Sequence, residues 1–348
     1  MEGGKIFCRS IIIYYNNKEV FMRAIIPVAG VGERLRPFTH TTPKPLLSFA
    51  GKPILAHIID GLLDNNVDEL VLVVGYMGEK IEQFVKERYS IPAKFVWQDK
   101  LLGLGYAIYL ALEKIPDDEP FLIILGDTII EADISDVSKT DTHKIGIHWV
   151  EDPRRFGVLE LSGKRIIGMV EKPESPKSNW VIAGLYYFTD ARKLRSSLNY
   201  IIENNISTRG EIQLTDALAN MLNDGEVFES IVIEGWHDCG KPETLLATHR
   251  EMLDKNGNVE KLEGNIIIPP VHIAKNASVK SSIIGPYVSL GEHSQIESSI
   301  LTDSIVGDGT IITKCVLDNS IIGNDAAFSG RAYRLNLGNS SRVELEWE

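Results

Sequence analysis

The chain has 348 residues, 44% of them hydrophobic and 24% charged, which is long enough for two ordinary globular domains. Its 48 acids against 36 bases give a formal net charge of -12. That excludes broad binding to nucleic acid or an anionic membrane, so a polyanionic partner must be small and gripped locally. No apolar run approaches the ~18 residues of a membrane span. Cys8, Cys239 and Cys315 lie far apart with no C-x-x-C spacing. This argues against a disulfide framework or thiolate metal site and for a reducing, cytoplasmic setting.

Residues 1–22 read as an N-terminal extension to which no chemistry is assigned. The segment "KIFCRSIIIYYNNKEVF" is broken by Arg9 and Lys18, so it is no signal peptide. From Arg23 buried-strand runs alternate with helical periods: "RAIIPVA", a helical "PILAHIIDGLLDNN", "ELVLVVG", "EKIEQFVKERY", "AKFVW", "LGYAIYLALEKI" and "PFLIILGD". The alternation predicts a mostly parallel sheet with helices on both faces. Ligands then bind beyond the carboxyl ends of the strands. Strand-like runs dominate residues 145–190, and helical patterns return up to about residue 255. Between Asn265 and Gly330 the texture changes. Ile273, Val279, Ile284, Leu290, Ile296, Val306 and Ile312 recur close to every sixth position, with near-copies "SSIIG", "SSILTD", "DSIVGDG" and "NSIIGND". That period predicts a short β-helix of three to four turns.

Several stretches carry chemistry. "PVAGVGERLRPFTHTTPKP" ends a strand in a glycine turn, and residues 31–52 hold Arg34, Arg36, Lys44 and Lys52 against Glu33 alone. It lacks the Lys-Ser/Thr of a P-loop and the third glycine of a dinucleotide fingerprint. Bared amides from Ala29 through Gly30 to Gly32, with cations behind them, make a phosphate cradle; a surface turn with solvated bases would read the same way. "LGDT" places Asp127 just past a strand, and "GWHDCGKPETL" places Asp238 at the mouth of a helix. Two such carboxylates suit Mg²⁺ alongside phosphates and water, though either is also a good turn or helix cap. His237 and Cys239 lack the companions that zinc needs. In "EKPESPKS", Lys172 is placed to neutralise a second phosphate and Glu171 to accept hydroxyl protons, or the two form a surface ion pair. In "WQDKLLGLGYAI", Gln98 offers a donor and an acceptor to a base edge, and Gly103 lets backbone approach a flat ring.

These motifs in this order resemble the sugar-1-phosphate nucleotidylyltransferases, most closely the long glucose-1-phosphate thymidylyltransferases, over roughly Arg23 to Gly330. "GVGERLRPFTHTTPKPLL" is similar to the family signature at Gly30, Gly32, Arg34, Pro37, Thr39 and Lys44, with Glu33 replacing the usual small hydroxyl residue. The resemblance implies an α/β, Rossmann-like three-layer catalytic domain with a mostly parallel or mixed sheet over 23–255. A left-handed parallel β-helix over 256–330 and a tail over 331–348 follow. It implies that Asp127 and Asp238 hold Mg²⁺ and that Gly157, Glu171, Lys172 and Ile182 lie near the hexose. Arg209 in "TRGEIQLTDAL" then reaches the sugar phosphate. The implied reaction joins a nucleoside triphosphate, dTTP or UTP, to a hexose 1-phosphate, first of all dTTP with glucose 1-phosphate to give dTDP-glucose. Uridylyl- and mannose-1-phosphate guanylyltransferases are alternatives, as are a bifunctional acyltransferase and a non-catalytic regulatory subunit. Catalytic roles fall to Arg34, Lys44 and Lys172, and nucleotide binding to Ala29, Gly30, Gly32, Gln98, Gly103 and Asp127. The β-helix is expected to mediate homo-oligomerisation or bind a feedback nucleotide, with His272 and His293 as ordinary exposed histidines.

Overall fold

The computed structural model describes residues 21–132, 137, 140–257 and 262–330. The expected tail and all but the end of the expected N-terminal extension lie outside these residues. A nine-stranded sheet organises the first part. Its strand order is Ala93–Trp97, Glu69–Val74, Arg23–Pro27, Phe121–Ile124, Trp180–Phe188, His143–Trp149, Phe228–Val232, Arg165–Glu171 and Gly157–Ser162. The first four are parallel. Beyond them the sheet is mixed, with antiparallel pairing from Trp180–Phe188 onward except between His143–Trp149 and Phe228–Val232. The short turn between Ser162 and Arg165 accounts for the antiparallel pairing of the last two strands, because such neighbours need only a tight connection.

The apolar runs are continuous because both faces of these strands are covered. Every residue of Glu69–Val74 is buried. Leu70, Leu72 and Val74 point into one core with Ala24 and Ile26, while Val71 and Val73 join Ile25 in the other, as the two-residue period of a strand demands. Helices Ile54–Asp64 and Gly78–Arg88 pack on the first face through Leu55, Ile59, Ile81 and Val85. Helices Leu104–Ala111, Arg192–Glu203 and Leu214–Asn223 cover the second. The result is three layers. Arg23–Pro27 is flanked by strands reached in opposite directions along the sheet, so a crevice opens beyond its carboxyl end.

From Ile266 the chain forms three parallel four-stranded sheets. Successive partners, such as Ile266, Ile283, Ile300 and Val316, lie 17 or 16 residues apart. Each turn therefore consists of three sides of nearly six residues, four rungs in all. Val271, Ile284, Leu290, Ile296, Leu301 and Ile312 fill the interior. Helix Pro242–Asn256 leads from the sheet domain to this β-helix. Along it, Arg250 pairs with Asp303, Nε to Oδ1 at 2.6 Å, and fully buried His249 sets Nε2 3.3 Å from the Tyr287 carbonyl.

Burial pushes His249 down to about 4, and it does the same to His57, which stacks on Phe49 at 4.7 Å. Because both folded values lie below the ordinary 6.5, the unfolded chain binds more protons as the pH falls through this window. Stability is therefore complete above about 6.5 and lost progressively towards about 4. Urea unfolding across that range should show a falling midpoint, with a shallower fall in His249→Leu.

Candidate active site

A cavity of about 570 Å³ occupies the crevice. Ala29, Gly30, Gly32, Arg34, Lys44, Gln98, Gly103 and Asp127 all line it, so the expected nucleotide-side residues come together. Residues 33–48 leave the strand as three short 3₁₀ turns, Glu33–Leu35, Phe38–His40 and Lys44–Leu46. Among the described residues, the amides of Gly30, Val31, Gly32, Glu33 and Arg34 donate to no protein acceptor. Five successive unpaired donors at the floor of a cleft form a nest for an anion. The two glycines serve different ends. Gly32 has φ 71, and a Cβ there would lie 2.9 Å from the Cβ of Lys44. A Cβ on Gly30 would meet nothing within 4 Å, so packing does not require a glycine there. Glu33 turns outward, with its side chain 73% exposed and Oε1 3.4 Å from Arg36 Nη2. It pairs with Arg36 and leaves Arg34 to face the cavity.

Lys44 Nζ donates to Asp127 Oδ2 at 2.7 Å, with side chains 11% and 40% exposed. Burial works against the Asp127 charge, yet the Lys44 ammonium, reinforced by Arg34, holds its carboxyl below the usual carboxylate value. Asp127 opens the strand Thr128–Glu131, which pairs antiparallel with Gly235–Asp238. Asp238 stands opposite Thr128, and the Cys239 amide donates to the Asp127 carbonyl at 3.0 Å. The two carboxylates predicted as metal ligands are thus neighbours across a ribbon. Asp238 Oδ1 accepts from the Gly240 amide at 2.8 Å, which leaves the second oxygen free of protein donors among the described residues. Two hard carboxylates fit Mg²⁺ completed by phosphate and water. No group of three or more His, Cys, Asp or Glu suited to a metal occurs among the described residues. The flanking His237 faces the other way, towards Glu131 and Glu251. Burial pushes the Cys239 thiol up to about 12.

At the opposite end of the cavity, buried Gln98 donates from Nε2 to the Lys100 carbonyl at 3.1 Å, which leaves its amide oxygen as an acceptor. Gly103 lines the wall. A Cβ there would sit 2.7 Å from the Ile212 carbonyl, so the glycine also admits a neighbouring segment of backbone.

The expected acceptor residues form a second cluster outside the cavity wall. Glu171 pairs with Lys172 at 3.0 Å and accepts from Thr215 Oγ1 at 2.7 Å. A Cβ on Gly157 would meet Ile182 Cδ1 at 2.8 Å and Glu171 Oε2 at 3.2 Å. Arg209 Nη2 donates to the Lys172 carbonyl at 3.1 Å. Gly157, Glu171, Lys172, Ile182 and Arg209 therefore assemble, although Ile182 is buried in the core. Two residues escaped the sequence reading. Thr215 fixes Glu171, and Glu211 lines the nucleotide cavity beneath Gln213, which donates to it at 2.8 Å. Both lie in the quoted "TRGEIQLTDAL", but no spacing signals either contact.

An amide nest, two cations and paired carboxylates at a parallel-sheet switch point define an enzyme that transfers a phosphorylated group. The chain belongs to the nucleotidyl transferase family, which it matches over residues 23–255, and within it to the sugar-1-phosphate nucleotidylyltransferases. It is 34% identical to the bifunctional protein GlmU of Methanocaldococcus jannaschii, over 93% of this chain and 85% of that protein. It is 29% identical to the glucose-1-phosphate thymidylyltransferase of Streptomyces antibioticus, over 93% of this chain and all of the relative. A putative glucose-1-phosphate thymidylyltransferase from Bacillus anthracis has a similar structure, with TM-score 0.60 and 27% identity, covering 69% of this chain and 98% of its own. No helix among the described residues is long and apolar enough to cross a membrane.

Replacing Lys44 by Met removes the largest influence that favours the Asp127 anion and leaves burial opposed by Arg34 and the Thr128 hydroxyl. The Asp127 carboxyl should then titrate at higher pH than in the unaltered protein, as read by carboxyl-carbon NMR.

Proposed function

We propose that this protein transfers the nucleotidyl group of dTTP to glucose 1-phosphate, releasing pyrophosphate and giving dTDP-glucose. The observation that carries this reading is the pair of adjoining subsites. One is a nest of free amides with Arg34 and Lys44; the other is the Gly157, Glu171, Lys172 and Arg209 cluster. Full-length similarity to the Streptomyces thymidylyltransferase supports the choice of base and sugar. UTP is the second reading, because the free amide oxygen of Gln98 accepts from the N3–H of uracil and thymine alike. The presence of Arg34, Asp127 and Asp238 together favours a catalytic chain over a regulatory one. Two buried free cysteines suit a reducing cytoplasm.

The reaction needs no general base, since a sugar phosphate with a second pKa near 6 is mostly a dianion at neutral pH. A phosphate oxygen of the sugar attacks the α-phosphorus, and the bond to the bridging oxygen breaks in line, so pyrophosphate leaves with that electron pair. The protein supplies alignment and charge. Arg34 and the amides from Gly30 hold the departing pyrophosphate, and Lys44 serves the α-phosphate. Lys172 and Arg209 hold the sugar phosphate, while Glu171 accepts hydroxyl protons. Asp127 and Asp238 would hold Mg²⁺, which supplies screening between the two anions.

The test is pyrophosphate release with dTTP, UTP, CTP, GTP and ATP against glucose-, galactose-, mannose- and N-acetylglucosamine-1-phosphate. Turnover should be highest with dTTP and glucose 1-phosphate; silence across the panel defeats the enzymatic reading. Asp127→Asn should abolish turnover with the fold intact. Arg34→Ala should lose on the order of 10²–10³ in rate, as loss of one charge-stabilising donor does.

A further inference from the structure

The segment that carries Arg34 and Lys44 has little stiffness of its own. It is built from three-residue 3₁₀ turns joined by proline-rich links, a poor hydrogen-bonding geometry that rarely persists alone. Its position must come from what it touches. On its inner side, Thr39 Oγ1 donates to the Gly32 carbonyl at 3.0 Å. Lys44 Cβ and Thr39 Cγ2 lie 2.9 and 3.0 Å from where a Cβ on Gly32 would stand. The outer side of the segment faces the β-helix. Phe38 Cδ1 lies 3.5 Å from the Cβ position of Gly323, in a turn of the last rung. Ile305, although a β-helix residue, is 3% exposed within the sheet domain's own core, where Leu46, Leu47 and Ile321 pack beside it. A cavity of about 210 Å³ lies between the two surfaces, lined by Phe38, Leu46 and Leu47 on one side and by Ile305, Ile321 and Gly323 on the other. No charged side chain lines that cavity.

We infer that the β-helix is part of the nucleotidyl-transfer machinery: its last two rungs brace Phe38 and Leu46, and through them set Gly32 and Lys44 against the triphosphate. Phe38 and Ile321 are positioning residues in this scheme. Neither touches substrate; each acts through the turn beside it. The inference rests on the proposed function, because it assumes that the braced loop holds the triphosphate.

The experiment compares Phe38→Ala, Phe38→Leu, Gly323→Leu and the Phe38→Ala/Gly323→Leu double variant in the full chain, each with thermal unfolding as a check on folding. A Cβ on Gly323 stands in ordinary contact with the Phe38 ring at 3.5 Å, so the rest of a Leu side chain forms a wedge between the β-helix and the loop. Since a displacement of about 1 Å can cost about 100-fold in rate, Phe38→Ala and Gly323→Leu should each lower kcat by about 10-fold or more. They should also weaken triphosphate affinity, measured by calorimetry, while leaving KM for the hexose 1-phosphate within about twofold. Phe38→Leu should restore most of the rate. The wedge should add little once Phe38 is gone, because neighbours that share a contact are not additive. Wild-type kcat and triphosphate affinity in folded Gly323→Leu overturn the brace, as does an equal loss on both substrates. If Phe38→Ala does not fold, Gly323→Leu decides alone. An unaltered protein that turns over nothing overturns the proposed reaction, and calorimetric triphosphate affinity still judges the brace.

Discussion

The charge pair between Lys44 and Asp127 is the interaction around which the other parts of the site are arranged. It joins two segments that are 83 residues apart in sequence and 2.7 Å apart in space. Asp127 belongs to the end of a central strand and, through the Cys239 amide, to the ribbon that carries Asp238. Lys44 belongs to the irregular segment beneath Gly32. Burial opposes the Asp127 charge, at a modest cost because its side chain is 40% exposed. The ammonium removes that cost while using only one of its three protons, so two remain for a phosphate. The pair thus favours the Asp127 carboxylate and keeps a cation beside the amide nest. In a chain of net charge -12, this concentration of donors admits a polyanion at one place and nowhere broadly.

What could be read from the sequence divides along physical lines. The strand ends, the glycine turn and the six-residue repeats were legible because each is local. Continuous apolar runs such as Glu69–Val74 report burial on both faces, and a β-helix repeats its own side chains from turn to turn. The mixed character of the sheet's far half was legible only in part, since pairing direction depends on which strands meet. The contacts that fix the chemistry were not legible. Thr215 reaches Glu171 across 44 residues, and Phe38 meets Gly323 across the whole sheet domain; neither leaves a period or motif. Gly103 shows the same limit in sharper form. Its place in the site was visible, but the packing reason for it was not, because the Ile212 backbone that fills the missing side chain's position comes from far along the chain.

That backbone also explains how two subsites built on different elements keep a fixed separation. Thr208 and Glu211 exchange backbone hydrogen bonds at 3.0 and 3.2 Å, closing a hairpin with Arg209 at φ 56 and Gly210 at φ 81. One end of this hairpin puts Arg209 on the Lys172 carbonyl, beside the acceptor cluster. The other end puts Glu211 on the wall of the nucleotide cavity. Ile212 is clamped from both directions, its amide donating to Leu102 and its carbonyl accepting from Gly105, each at 2.8 Å. That close approach is possible only because a Cβ at Gly103 or Gly105 would collide with it. An in-line displacement with no general base depends on how accurately attacking oxygen and phosphorus are aligned. A short, doubly bonded hairpin touching both clusters fixes their separation with few degrees of freedom. The loop from Gly32 to Leu47 closes its own turns, with the Leu35 amide donating to the Gly32 carbonyl at 2.9 Å and the Leu46 amide to the Pro43 carbonyl at 2.8 Å, and is tied to the sheet domain by the Tyr76 hydroxyl, which donates to the Thr39 carbonyl at 3.0 Å.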